Sequence, residues 1–433
     1  MSAERFRIEH GAIPEPVRRV CSTLHRAGFG AWIVGGCVRD LLLGRAISDW
    51  DVCTSAKPEQ VQGLFRKVIP TGIQHGTVTV VLDGVHYEVT TLRGEGAYSD
   101  GRRPDSVFYV DDVREDLARR DFTVNAIAYD VTKDEFIDPF DGRDDLRARV
   151  VRAVGDGDER FREDGLRVLR AARFSATLEF ALDEATKAAI APNLPTFRKV
   201  SRERVRDEWL KTMKARSPSR AFVVMLETGI LGVVSAELER TARIEAPQFK
   251  GTLFDWHLAT MDEIEPGDAI LRLAALFLSS EQKAIEAFAK ENKFSTDERA
   301  RLVHLTRCAR SLPEGVDATD ADLRRWLRDA TRGAVSEIAL LARASARASR
   351  DASRLAVLDA LFERVDEIIV RRDPIEPREI AVNGDVLQRE LGMAPSKQMG
   401  QWLAWALDRV IEDPSLNSQE TLVAMIRARA AGA

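Results

Sequence analysis

Over the first 155 or so residues, the apolar positions switch between a helical and an extended period. Pro14–Ala27 has helical spacing, Ala31–Val34 is a short apolar strand that stops at Gly35-Gly36, and Val38–Leu43 turns helical again. Asp51–Cys53 fits a short strand and Pro58–Val68 an amphipathic helix. Thr77–Leu82 and His86–Thr91 alternate or run β-branched, with Asp83-Gly84 as the hairpin turn between them. Phe122–Asp130 and Glu135–Asp138 follow, then a turn at Asp141-Gly142. Helices running back over a small mixed sheet are the predicted result.

From about Asp158 the strand signal fades. Arg162–Ser175, Asp183–Ala191, Ser201–Lys214, Pro218–Glu227, Gly267–Ser279 and Ser336–Val370 all carry helical spacing. Proline and glycine gather at Arg371–Gly384, where a last module is expected to begin. The predicted class is α+β, a mixed α/β head at 1–155 followed by an all-helical neck at 156–215, body at 216–370 and tail at 371–433.

Composition narrows the class. A chain of 433 residues suggests two to four domains, and 45% hydrophobic with 31% charged residues is an ordinary globular balance. No apolar run reaches the length of a membrane span. The opening residues, MSAERFRIEHGAIPEP, are charged and lack the apolar core of a signal peptide. Cys21, Cys37, Cys53 and Cys308 are far apart with no CxxC pair, which speaks against a disulfide framework or zinc knuckle and suits a reducing cytoplasm. The net charge of −5 means that any RNA contact must come from local arginine placement.

Three constellations carry chemistry. The first is Gly35-Gly36-Cys37-Val38-Arg39-Asp40, then Ser48-Asp49-Trp50-Asp51. Two glycines between a strand and a helix let the backbone approach a phosphate, and Arg39 in the first helical turn offers a bidentate fork. Asp49 and Asp51 are two apart, so on a strand both carboxylates face one side and can bridge two Mg²⁺ ions about 3.5–4 Å apart. A lone DxD is usually two solvated acids; the preceding glycine motif changes that balance.

The second is Arg119-Arg120-Asp121-Phe122-Thr123-Val124-Asn125-Ala126, in which Arg120 can hold a triphosphate and Asp121 and Asn125 suit a ribose 2′-OH. The third runs from Arg162 to Arg173, with Asp164, Arg167, Arg170 and Arg173 every three residues on an expected helix. Asp164 beside Arg167 sets an acceptor next to a donor fork. That pair can read an exocyclic amine and a ring nitrogen, features shared by C and A. Alone, it would also pass for a common i, i+3 ion pair.

In this order the motifs resemble the class II tRNA nucleotidyltransferases, the CCA-adding enzymes, within the superfamily that includes bacterial poly(A) polymerase. The resemblance is dense from Phe29 to Lys214 and takes in Tyr87–Arg93, the loop Tyr98–Val107, Ser201-Arg202-Glu203-Arg204 and Glu208. It implies a polymerase-β-like nucleotidyltransferase head. It also implies that Gly36 and Arg39 bind CTP or ATP, that Asp49 and Asp51 are catalytic metal ligands, and that Arg120 contacts the nucleotide with Asp121 and Asn125 near its ribose. Asp164 and Arg167 become an amino-acid template, and Arg170 and Arg173 complete the site. Glu88 is the candidate third acid near the metals. The implied partners are tRNA, CTP, ATP and two Mg²⁺ ions, with neither DNA nor a membrane.

The polar loop Glu95–Asp105 is read as a mobile element whose counterpart the family needs for terminal A addition. It favours full CCA addition over CC addition alone. Addition of A alone, poly(A) synthesis and a non-catalytic RNA-binding role are the alternatives. Asp255-Trp256-His257 and Leu271–Phe277 resemble a segment leading to a His-Asp phosphohydrolase site in some relatives, but Leu278-Ser279 stands where His-Asp would be. His257 is therefore expected to be structural. Residues 371–433 resemble the family's tRNA-binding end, yet hold eight Lys/Arg against nine Asp/Glu, so contacts there would be local, as at Lys397. Trp402 and Trp405 are expected to be core.

Overall fold

The computed structural model describes residues 8–73, 76–95, 107–313 and 317–431. The loop Glu95–Asp105, read as a mobile element, lies outside the described residues from position 96 onward. The chain divides into two compact units, Met1–Ala236 and Glu237–Ala433. The expected head–neck and body–tail boundaries each fall inside a unit.

In the first unit the described strands are β1 (Ala31–Val34), β2 (Asp51–Thr54), β3 (Val68–Gly72), β4 (Thr77–Leu82), β5 (Val85–Thr91), β6 (Arg93–Glu95), β7 (Val107–Tyr109), β8 (Ala128–Asp130), β9 (Glu135–Ile137), β10 (Val150–Val151) and β11 (Ala181–Leu182), the last two a short parallel pair whose second strand interrupts the neck expected to be all-helical. Seven of them form one sheet in the order β3-β4-β5-β2-β1-β8-β9, and β6 pairs with β7. β1 is an inner strand, flanked by β2 and β8, and Ala31, Ile33 and Val34 are all buried, the near-continuous apolar run such a strand needs. β2 runs antiparallel to β1 but parallel to β5, which sets Asp51 directly opposite Glu88.

Several predicted elements are corrected. The Pro58–Val68 helix ends at Leu64; Phe65 is extended, and the β-branched Val68 and Ile69 open the edge strand β3. Phe122–Asp130 is not one strand: Thr123–Asn125 forms a 3₁₀ turn and pairing resumes only at β8. Thr123 Oγ1 donates to buried Asp145 at 2.7 Å and fixes that turn. The Ser336–Val370 pattern is two helices, Val335–Ala348 and Ala352–Arg371, with Arg350 at φ 55° between them and Asp351 capping the second.

The correction that matters most is at Arg162–Ser175. Helices Gly157–Glu163 and Leu166–Thr177 are separate, and Asp164 lies between them in extended conformation (φ −139°, ψ 105°). Its Oδ1 accepts from the Leu166 N–H at 3.0 Å, so the aspartate caps the second helix instead of riding on it. Gly165 fits because a Cβ there would stand 2.7 Å from the backbone of Thr196 and Phe197. The Leu166–Thr177 helix packs against Arg202–Thr212 and Ser219–Glu227, where fully buried Trp209 meets Phe222 edge to face at 5.0 Å.

The second unit is helical. Leu253–Asp262, Ala269–Leu276, Thr296–Arg310 and Val335–Ala348 pack together. A separate cluster around Leu387, Val410, Ile411, Leu422 and Ile426 makes the tail core. Trp402 and Trp405, expected as core, are half-buried at the edge of that cluster and meet each other edge to face at 6.3 Å. Buried Arg324 holds helix Asp320–Ala330 to the tail, donating to Asp373 and to the Ile411 carbonyl, each at 2.8 Å.

Gly165→Ala is expected to destabilise the first unit by about 1–3 kcal/mol through backbone overpacking. Denaturant unfolding followed by tryptophan fluorescence checks this; an unchanged midpoint would show that the backbone contact yields freely.

Candidate functional site

A cavity of about 420 Å³ opens in the first unit, and its wall draws on every one of the three sequence constellations. Gly36, Arg39 and Asp51 come from the first; Arg120, Asp121 and Asn125 from the second; Asp164, Arg167 and Arg170 from the third. Asp49 and Arg173 are not in the wall. Asp49 is exposed beside it and accepts from Ser48 Oγ at 2.7 Å. Arg173 turns away to Glu208, with Nε 2.5 Å from Oε2.

Gly35 starts the site. Its φ of 77° and ψ of −128° are open to glycine alone, and a Cβ there would lie 2.7 Å from Arg120 Nη1. The helix Gly36–Leu42 then presents Arg39. The Arg39 fork faces Asp40 (Nε–Oδ1 3.0 Å, Nη2–Oδ2 2.8 Å), and Nη1 donates to Asn125 Oδ1 at 2.6 Å. A phosphate here therefore competes with Asp40 for the guanidinium.

Asn125 Nδ2 donates to Asp121 Oδ1 at 3.2 Å, and Arg170 Nε donates to Asp121 Oδ2 at 2.7 Å. Arg170 Nη2 sits 2.6 Å from the same oxygen, and the Phe122 N–H reaches Oδ1 at 2.9 Å. All the acceptor positions of Asp121 are thus taken inside the protein. Burial alone would push the Asp121 carboxyl up, but Arg170, Arg167 and Asn125 outweigh it and hold it at about 2. Asp121 is a strut; Asn125 keeps one side-chain N–H for the cavity.

The remaining arginines are also tethered. Buried Asp116 lies 2.6 Å from Arg119 Nη2 and 3.2 Å from Arg120 Nη2, and these cations hold its carboxyl below the usual range against the penalty of burial. Arg167 Nη1 donates to Glu163 at 2.6 Å and to the Arg160 carbonyl at 3.2 Å, while Nη2 donates to the Arg119 carbonyl at 2.8 Å. Burial opposes ionisation of Glu208, and Arg173, Arg170 and Lys211 overcome it.

Asp164 and Arg167, read as an acceptor beside a donor fork on one helix, are not paired with each other as the common i, i+3 alternative would have it: Arg167 pairs with Glu163, and Asp164, off the helix, pairs with Arg204. Both still line the cavity. Arg204, Arg119 and Phe174 also line it without having been assigned a role from sequence. Phe174 follows Arg170 by one helical turn. Its ring has the Arg173, Arg170 and Arg39 guanidiniums at 4.0, 5.4 and 5.5 Å, a cation–π cluster.

The acidic edge of the site is Asp51, with Glu88 opposite it on β5 and Asp49 two residues before. Although open to solvent, the Asp51 carboxylate lies against enough protein that burial pushes its pKa up. Arg120 opposes that rise, and Glu88 and Asp49 add to it. Among the described residues no three such groups already converge around a point. The donor set, carboxylate oxygens that repel one another at a cavity mouth, fits a hard divalent cation.

In the second unit His257 is fully buried, and burial holds its pKa down at about 3. Its Nε2 accepts from the Ser279 N–H at 3.2 Å, so it ties two helical segments together.

Residues 31–152 match the poly A polymerase head domain, 179–240 the RNA and SrmB-binding site of polymerase A, and 266–426 the tRNA nucleotidyltransferase domain 2 family. The CCA-adding enzyme of Lactobacillus delbrueckii subsp. bulgaricus is 37% identical over 406 residues, 93% of this chain and 95% of that one. That of Geobacillus kaustophilus is 37% identical over 414 residues, 94% and 95%. The crystal structure of the Bacillus stearothermophilus CCA-adding enzyme in complex with CTP superposes with a TM-score of 0.74 at 30% identity, covering 97% of this chain and 99% of that one.

The depressed Asp121 carboxyl contributes stability that is complete above about pH 4, its ordinary value, and is lost as pH falls through about 2. Acid titration of unfolding is expected to show the wild type ahead of Asp121→Asn at pH 5, with the gap closing towards pH 2. A gap independent of pH would assign the stabilisation to packing.

Proposed function

The chain belongs to the CCA-adding enzymes, the tRNA nucleotidyltransferases, and from that premise we propose that it builds the CCA end of tRNA from CTP and ATP in this cavity. The observation that carries the proposal is the meeting of nine motif residues, from Gly36 to Arg170, in the wall of one cavity.

Gly36, Arg39 and Arg120 take the triphosphate, where guanidiniums offset the charge that builds on the departing pyrophosphate. Asn125 offers its remaining N–H to the ribose, and Asp121 braces it. Asp164 and Arg167 read the base edge, while Arg170 and Arg173 fix the helix that carries Arg167. The tRNA 3′-OH attacks the α-phosphate, the bond to pyrophosphate breaks, and no covalent enzyme intermediate is needed. Asp49 and Asp51 would hold two Mg²⁺ ions, with Glu88 opposite Asp51 placed to share in that site. When bound, the ions supply Lewis acidity to the attacking and leaving oxygens.

We read 1–155 as the catalytic head, 156–215 as the nucleotide-selecting neck, 216–370 as the body and 371–433 as the tRNA-binding tail. The four cysteines are free and buried, which supports a cytoplasmic setting. Among the described residues no helix is long and apolar enough to cross a membrane.

Transcripts ending before CCA, after C and after CC, supplied with CTP and ATP and Mg²⁺, test the proposal. C, C and A should be added to the first transcript and addition should then stop. Extension of only the CC-ended transcript would make this an A-adding enzyme, and long adenosine ladders a poly(A) polymerase. Asp49→Ala with Asp51→Ala is expected to lower incorporation by more than about a hundredfold without loss of fold; residual activity near wild type would remove the two aspartates from the reaction.

A further inference from the structure

We propose that Arg204 is a specificity-determining residue that acts through Asp164 to exclude guanine from the cavity; the proposal rests on the reading of Asp164 and Arg167 as the base reader.

Arg204 stands in the first turn of the Arg202–Thr212 helix and grips Asp164 with both terminal nitrogens, Nη1 to Oδ1 at 3.2 Å and Nη2 to Oδ2 at 2.6 Å. Asp164 Oδ1 also accepts from the Leu166 N–H at 3.0 Å. A carboxylate has about four acceptor positions. Oδ1 is therefore filled, and one position remains, on Oδ2. Arg167 has five N–H groups, of which three go to Glu163, the Arg160 carbonyl and the Arg119 carbonyl. The Nε–H and one Nη2–H remain.

What the pair still offers is one acceptor and two donors. The pairing edge of cytosine is the complement: one amine donor at N4 and two acceptors at N3 and O2. Adenine presents a donor at N6 and an acceptor at N1, and uses the same acceptor and one of the donors. Uracil sets its O4 carbonyl against the carboxylate. Guanine sets its O6 there, but it also carries two adjacent donors, N1–H and N2–H.

Two adjacent donors are the natural partner of a two-oxygen carboxylate face, as the Arg204 fork itself shows on Asp164. Arg204 fills the face that guanine would need. Without it Asp164 regains a bidentate acceptor and rotational freedom, and GTP becomes the best of the wrong substrates. Arg204 is a positioning residue: it shapes the acceptor that reads the base. Both side chains line the cavity, so the interaction lies where a base would be read.

The test compares wild type, Arg204→Met and Arg204→Lys in single-nucleotide incorporation on a transcript lacking CCA, with CTP, GTP or UTP supplied separately. The CTP:GTP ratio of kcat/KM in Arg204→Met is expected to fall about tenfold to a hundredfold, the scale of one bidentate base contact. The CTP:UTP ratio should fall less. Arg204→Lys, with a single ammonium in place of a fork, should lie between. Equal losses on all three nucleotides with unchanged ratios would show that Arg204 only supports the helix, and would overturn the inference. If Arg204→Met melts below the assay temperature, the ratios of Arg204→Lys decide by the same criterion. A wild type that incorporates nothing, or all three nucleotides equally, would instead defeat the reading of the site on which the inference rests.

Discussion

Asp121 is buried, ionised and bonded on every side, and the cavity takes its shape from that carboxylate. On one oxygen it holds Arg170, from the neck helix; on the other it holds Asn125, which in turn accepts from Arg39. A continuous relay therefore runs from the glycine-rich helix start through the Thr123–Asn125 turn to the Leu166–Thr177 helix. Removing one partner of such a pair leaves an uncompensated buried charge, a loss on the order of 3–5 kcal/mol. The three constellations are distant in sequence, and this relay brings them to one place.

A chain of net charge −5 assembles a cationic cavity by pairing its arginines with acids. Arg39, Arg119, Arg120, Arg167, Arg170 and Arg204 all line one cavity. Each is tied to an acid: Asp40, Asp116, Glu163, Asp121 or Asp164. The cations are held in place by carboxylates that do not all face the cavity, so the N–H groups left over point where the pairing permits. Composition alone hides such an arrangement, because the acids cancel the arginines in the sum.

Local patterns made much of this legible. The strand ending at Gly35-Gly36, the hairpin at Asp83-Gly84 and the long helical stretch after the head were readable because period and turn chemistry are short-range signals. Nine of the candidate residues meet in the cavity wall, and they could be named because their motifs are local too; Arg119, Phe174 and Arg204 had been assigned no role, and Asp49 and Arg173 lie outside the wall. What escaped depends on long-range pairing. The parallel register that sets Glu88 beside Asp51 arises from a sheet order that period alone does not encode, and Glu88 entered as a candidate only through the family resemblance. The break at Asp164 was missed because Arg162–Ser175 keeps helical spacing across it, while the contact that requires glycine at position 165, the backbone of Thr196 and Phe197, is about 30 residues away in sequence. That break leaves the two residues of the supposed base reader on separate tethers, Asp164 to Arg204 and Arg167 to Glu163. Arg204 and Glu208 were visible as part of a motif, but their partners lie about 40 residues away for Asp164 and 35 for Arg173.

Crystal structures of the chain with CTP and, separately, with ATP would test most directly whether one protein surface reads both bases. The expected result is a single nucleotide position, with the triphosphate at Gly36, Arg39 and Arg120 and the exocyclic amine of either base on Asp164 Oδ2, with Arg204 still in place behind it. Bases bound in different pockets, or bound with Asp164 and Arg167 still facing empty solvent, would contradict it.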